Sequence, residues 1–154
     1  MRRINPQWLQ AVRSGVNPCP FFQLLSLELT ALEWGRSTLE ITLEEKHLQP
    51  FGVVHGGVLA ALVDAAGFWA CYSQLEPDLG MTTVEIKINY LAPARQGRLL
   101  GRGRSLKLGR TLGLAEARVF DHRGEMLAHG TTTVMVMPQM AMAGQDRLPP
   151  KFLD

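Results

Sequence analysis

Residues 49–70 read QPFGVVHGGVLAALVDAAGFWA. From Gly56 to about Gln74 the chain is apolar on almost every side of a helical wheel. That pattern predicts a long helix enclosed by other structure, not one lying on a surface. Two features stand out in it. Gly56 and Gly57 occupy the first turn, directly after His55, and Asp64 sits about two turns further on. Ala60, Ala61, Gly67 and Phe68 hold the positions three and four residues away, so Asp64 has no ion-pair partner on its own helix. Burying an unpaired carboxylate is costly, and chemistry is a better reason than packing to keep one there.

The first turn of a helix carries free N–H groups and the positive end of the dipole. Glycine at 56 and 57 lets an oxygen approach those groups without meeting a Cβ, which suits a polarised carbonyl or a developing oxyanion. The same glycines would equally serve a tight loop-to-helix turn. His55 and Asp64 are nine residues apart, about 13 Å along a helix axis, and cannot form a dyad. Cys71 is farther still. If the acid and the helix N-terminus serve one substrate, they must come from two copies of the chain, which predicts a two-fold dimer with shared sites.

The flanking sequence supplies the enclosure. Pro6 to Arg13 predicts a short helix capped by Asn5, and GVNPCP (Gly15 to Pro20) a loop. Leu24–Trp34 and Ser37–Leu43 read as strands before the long helix. Met81–Leu91, Arg98–Leu108, Thr111–Phe120 and Glu125–Met137 read as strands after it, separated by turn-forming stretches. Strands on both sides of one buried helix predict an α+β fold, a curved antiparallel sheet wrapped around that helix. The whole chain, 1–154, is expected to be one such domain, with an N-terminal arm (1–20) and a loosely held tail (138–154).

Apolar residues make up 46% of the chain and charged residues 19%, with a net charge of +2. The N-terminus has no apolar segment after its basic residues, and Val58–Tyr72 falls short of a membrane span. Cys19 and Cys71 have no paired spacing. A cytoplasmic protein that does not engage membranes is the expectation. His47, His55, His122 and His129 lack ligand spacing, so no metal site is expected. Arg95, Arg98, Arg102, Arg104, Lys107, Arg110, Arg118 and Arg123 face only two acidic residues, Glu116 and Asp121, over the same interval. Such a basic field is either a solvated strand face or a phosphate-attracting surface. The basic strands lack interleaved aromatics for stacking bases, which argues against a nucleic-acid partner.

Read as Q-x-x-G-x-x-H-G-G-x-x-x-x-x-x-D, Gln49 to Asp64 resembles the hotdog-fold acyl-CoA thioesterases. The resemblance is greatest to the PaaI-like group, comprising phenylacetate-pathway and THEM-type enzymes, which is related to one class of 4-hydroxybenzoyl-CoA thioesterases. It continues through TTVEIKINYLAPA (Thr82–Ala94) and SLKLGRTL (Ser105–Leu112), covering roughly Phe21 to Met137. It implies that Asp64 is the nucleophile or general base and that the Gly56 N–H polarises the thioester carbonyl. It further implies that His55 holds that loop, that Gln49 lies near the thioester, and that Thr82 orients the nucleophile or water. In TTVEIKINY, Thr82 shares the parity of Val84, Ile86, Ile88 and Tyr90, so unbroken alternation would point it at the helix. The resemblance places the nucleotide end of coenzyme A at the hairpin of Lys107, Gly109 and Arg110. It implies a homodimer, doubled to a tetramer, and no cofactor beyond the coenzyme A of the substrate. An aryl- or short/medium-chain acyl-CoA hydrolase is the leading expectation. A non-catalytic acyl-CoA-binding module and a hotdog dehydratase or hydratase are the alternatives.

Overall fold

The computed structural model describes residues 2–153. A short strand β1 (Arg3–Ile4) precedes helices α1 (Pro6–Val16) and α2 (Pro20–Leu25). Strands β2 (Leu27–Glu33) and β3 (Arg36–Thr42) lead to the long helix α3 (Gly56–Tyr72). Strands β4 (Gly80–Tyr90), β5 (Arg98–Leu108), β6 (Leu112–Phe120) and β7 (Met126–Met137) follow, and β8 (Phe152–Leu153) comes last. Strands β2 to β7 form one six-stranded antiparallel sheet in the order β2-β3-β5-β6-β7-β4. It curls around α3, as the sequence predicts, with β2 and β4 at its edges.

The close fit of helix to sheet is written into the strands as small inward residues. On β5, Gly101 and Gly103 face the helix while Arg102 and Arg104 face out, which explains the alternating GRGR sequence. A Cβ on Gly103 would fall 2.0 Å from the Ala66 carbonyl oxygen, so only glycine lets the helix lie this near. Ser37 Oγ donates to Ala66 O at 2.6 Å and Thr132 Oγ1 donates to Val63 O at 3.2 Å, pinning α3 from β3 and β7. Leu62, Val63, Ala66, Ala70 and Cys71 are fully buried beneath this layer.

The enclosure is incomplete. Gly57, Ala60, Ala61, Asp64, Ala65 and Phe68 are all at least partly exposed, and their spacing puts them on one face of α3. The central helix thus keeps an open stripe of small residues with one acid in its middle. Gly67 and Cys71, which helical spacing also brings towards the side of Asp64, are buried against the sheet.

Two segments differ from their sequence reading. The strand expected from Leu24 begins at Leu27, because Pro20–Leu25 forms a helical turn and a half. Pro20 starts it, and Ser26 ends it in the left-handed region at φ 51. The tail beyond Pro138 is tied down. Strand β8 pairs with β1, and the buried Lys151 Nζ, its pKa pulled down to about 7 by burial, donates at 2.6 Å to both Tyr72 O and Leu75 O. Lys151 thereby caps the C-terminal end of α3, over the faces of Trp8, Tyr72 and Phe152.

Candidate active site

The N-terminus of α3 is organised by its histidine. His55 Nδ1 accepts from the Gly57 N–H at 2.8 Å, and the His55 carbonyl accepts from the Val58 N–H at 2.9 Å. His55 is therefore the N-cap, a role its imidazole performs as an oxygen would elsewhere. Its own N–H donates to His47 O, and buried His47 accepts from Glu44 N and contacts Leu25 O at 2.8 Å. The Gly56 N–H has no acceptor among the described residues. One donor is left facing outward at the positive end of the helix, as polarising a carbonyl requires.

The loop before it is also shaped. Gln49 Oε1 accepts from the Phe51 N–H, closing the turn from Gln49 to Gly52, whose φ is +73. Arg95 Nη1 donates to Phe51 O and Gly52 O at 3.3 and 3.1 Å. Tyr90 completes the end of the helix: its hydroxyl donates to Gly56 O at 3.2 Å. A Cβ on Gly56 would stand 3.0 Å from the Tyr90 ring. Glycine at 56 thus serves the close approach of an aromatic ring as well as the exposure of its N–H. The inward parity of Tyr90 was legible in the strand, but its contact with Gly56 was not.

Asp64 lies on the open stripe, half-buried. Burial pushes its carboxyl up, and a hydrogen bond to Oδ1 from Thr83 Oγ1, at 2.7 Å, partly offsets this. The hydroxyl that reaches the acid therefore belongs to Thr83, not to Thr82 as expected. The reason is a bulge. Thr83 pairs with Val134 of β7, but the next pair is Glu85 with Thr133, so Val84 is an extra residue in β4. Beyond the bulge Ile86, Ile88 and Tyr90 oppose Thr132, Gly130 and Ala128, and before it Met81 and Thr83 oppose Val136 and Val134. Thr82 pairs with Met135 on the outer face. The bulge exchanges the faces of two neighbouring threonines.

The candidate residues of one chain fall into two separate groups. Gln49, His55 and Gly56 lie at or just before the start of α3, and Asp64, bonded by Thr83 of β4, lies eight residues after Gly56, about 12 Å along the axis. Lys107, Gly109 and Arg110 sit on the β5–β6 turn, closed by Gly109 N donating to Leu112 O at 2.8 Å. That turn is at the opposite end of α3, where Gly113 packs beside Cys71. Lys107 and Arg110 are exposed. Two clefts open elsewhere: one on the outer sheet face and one beneath the C-terminal tail. Among the described residues no three His, Cys, Asp or Glu side chains gather as metal ligands do, and no helix is long and apolar enough to cross a membrane.

The model of the thioesterase superfamily matches residues 51–128, from the loop before α3 into β7. This chain belongs to the thioesterase superfamily. The 1,4-dihydroxy-2-naphthoyl-CoA hydrolase of Escherichia coli is 30% identical over 105 residues, 67% of this chain and 77% of that one. A crystal structure of a thioesterase family protein from Silicibacter pomeroyi is 30% identical, covers 84% of this chain and 98% of its own, and superposes with a TM-score of 0.76. A Haemophilus influenzae thioesterase, at 23% identity, shares the fold with a TM-score of 0.81 over 91% of this chain and 98% of its own. This thioesterase-superfamily chain is a thioester hydrolase with the hotdog fold, the helix being the sausage and the sheet the roll.

Proposed function

We propose that the protein hydrolyses an acyl-CoA, aryl or of short to medium chain length, to the free acid and coenzyme A. The observation that carries this reading is the pair of half-sites on one open helix face: a free Gly56 N–H at one end, and Asp64 with Thr83 two turns on. Neither half suffices alone. A second α3 running antiparallel across the stripe of Gly57, Ala60, Ala61, Asp64, Ala65 and Phe68 would set the acid of one chain beside the first turn of the other. Small residues along that stripe permit two helices to approach closely. The functional unit is thus a two-fold dimer with two equivalent sites, open to further doubling into a tetramer.

In each site the thioester carbonyl accepts from the Gly56 N–H, and the dipole of α3 favours charge building on its oxygen. His55 keeps that donor free by engaging the next one. Gln49 lies beside the thioester. Asp64, aligned by Thr83, acts in one of two ways. As a base, it takes a proton from the attacking water and passes it to the departing thiolate. As a nucleophile, it attacks the carbonyl carbon and expels the thiolate, forming a mixed anhydride. Water then hydrolyses the anhydride to the free acid, its proton going to the thiolate. Coenzyme A leaves as the thiol, with its nucleotide phosphates toward Lys107, Gly109 and Arg110. The hydrolysis calls on no cofactor beyond the coenzyme A of the substrate. The free thiols of Cys19 and Cys71 suit a reducing cytoplasmic setting.

Free-thiol release from a panel of aryl-, short-, medium- and long-chain acyl-CoAs tests the reading. Turnover should be found on part of that panel and be lost in Asp64→Asn. Tight acyl-CoA binding without any thiol release would identify a binding module instead.

A further inference from the structure

Four arginines on the outer face of the sheet take no part in this chemistry. With Gly101 and Gly103 turned to the helix, Arg102 and Arg104 point away from it. In the sheet register Arg36 lies directly across from Arg104, and Arg102 directly across from Arg118. Like charges directly opposite one another destabilise a sheet. The same register sets Glu33 across from Arg36 and Glu116 across from Arg104, so signs do mix there, but the Arg102–Arg118 pair has no carboxylate directly across from either member.

The carboxylates do not neutralise them. Glu116 accepts from Arg104 Nη2 at 3.1 Å and from Arg118 Nη2 at 2.9 Å, and contacts His129 Nε2 at 2.9 Å. His129 first, then Arg118 and Arg104, hold its carboxyl down to about 2. Glu116 is thereby fully committed, fixing two guanidinium groups in place as the floor of a cleft. Arg36 and Arg102 flank that floor and have no acidic partner among the described residues. The Arg102 guanidinium lies 5.5 Å from the centre of the Phe120 ring. Glu33 is the other carboxylate on the rim. The cleft measures about 610 Å³, with Thr38 and Leu32 among its walls. That is the scale of a small-molecule site.

We propose that this cleft binds a small phosphate-bearing ligand, at a site on the opposite face of the sheet from Asp64. Planar, permanently charged guanidinium forks match phosphate oxygens in pairs, and here two are held by Glu116 while two remain free to close on the ligand. The nucleotide end of coenzyme A and a free nucleotide share this chemistry. The proposal stands on the cleft alone and does not depend on the hydrolase reading.

Calorimetric titration of the full chain with pyrophosphate at low ionic strength tests it. Binding should be saturable, weaken as salt is raised, and fall by about tenfold or more in Arg36→Ala/Arg102→Ala. Both side chains are exposed and outside the core, so the variant should keep the wild-type Tm. Saturable pyrophosphate binding should persist in Lys107→Ala/Arg110→Ala, which removes the separate phosphate contacts proposed at the β5–β6 hairpin, and should be lost when Arg36→Ala/Arg102→Ala is added to it. The KM for acyl-CoA then separates the two sources. A raised KM in Arg36→Ala/Arg102→Ala assigns the cleft to the nucleotide end of the substrate, and an unchanged KM assigns it to a separate nucleotide. No saturable binding, an undiminished affinity in Arg36→Ala/Arg102→Ala, or a loss confined to the hairpin variant would overturn the proposal. A lost affinity accompanied by altered sedimentation would overturn it too, by making this face a contact between copies of the chain.

Discussion

Thr83 Oγ1 donates to Asp64 Oδ1 at 2.7 Å, and it reaches the acid only because Val84 is an extra residue in β4. The bulge thus decides which of two adjacent threonines serves the acid. It lies on an edge strand, where bulges are common.

Removing that hydroxyl should be read in the pH profile. Burial raises the Asp64 carboxyl and the Thr83 hydrogen bond lowers it. Losing the bond leaves burial unopposed, so the acid stays protonated to higher pH. Activity that needs the carboxylate is lost as pH falls through that value. Thr83→Val should therefore move the acidic limb of kcat to higher pH, whereas Thr82→Val should leave it in place. An identical limb in all three proteins would separate Thr83 from the chemistry.

Shared sites predict complementation. Asp64→Asn should lower kcat by about 100-fold or more while acyl-CoA still binds. Gly56→Pro deletes the free N–H at a first-turn position where proline is tolerated, and His55 already has the extended backbone that precedes proline. Its ring must displace Tyr90 slightly, which a half-exposed side chain allows. Each variant should be inactive alone, and subunit exchange between them should restore activity by rebuilding one intact site per mixed dimer. Demonstrated exchange without recovery would overturn the shared-site model.

The hairpin makes a substrate-dependent prediction. Lys107→Ala/Arg110→Ala should raise KM for an acyl-CoA far more than for the corresponding acyl-pantetheine, which lacks the nucleotide phosphates. Equal effects on the two substrates would mean that the turn supports structure alone.

The tail makes a stability prediction. Lys151→Met keeps an apolar stem among Trp8, Tyr72 and Phe152 but leaves the Tyr72 and Leu75 carbonyls without their donor. Urea unfolding should show a loss of about 1–3 kcal/mol. A variant as stable as the wild type would show that the capping of α3 by the tail carries no net free energy.

The sequence by itself determined the architecture and marked a candidate chemical centre. A run from Gly56 apolar on almost every side can exist in water only if strands enclose it, and six strand-like runs were there to do so. An acid without a helical partner and a glycine pair at a helix start are local facts, and they marked Asp64 and Gly56 before any coordinates. Tertiary structure decided the rest, because each remaining feature depends on residues far apart in the chain. Strand alternation misassigned Thr82 since a bulge is set by pairing with β7, not by the composition of β4. Lys151 looked like part of a free tail because its acceptors lie about 80 residues earlier, at the end of α3. The open stripe on α3 was legible only in part: spacing puts Gly57, Ala60 and Ala61 on the side of Asp64, but which face a wrapped helix leaves bare depends on how far the sheet curls, and that is a property of the packed sheet as a whole.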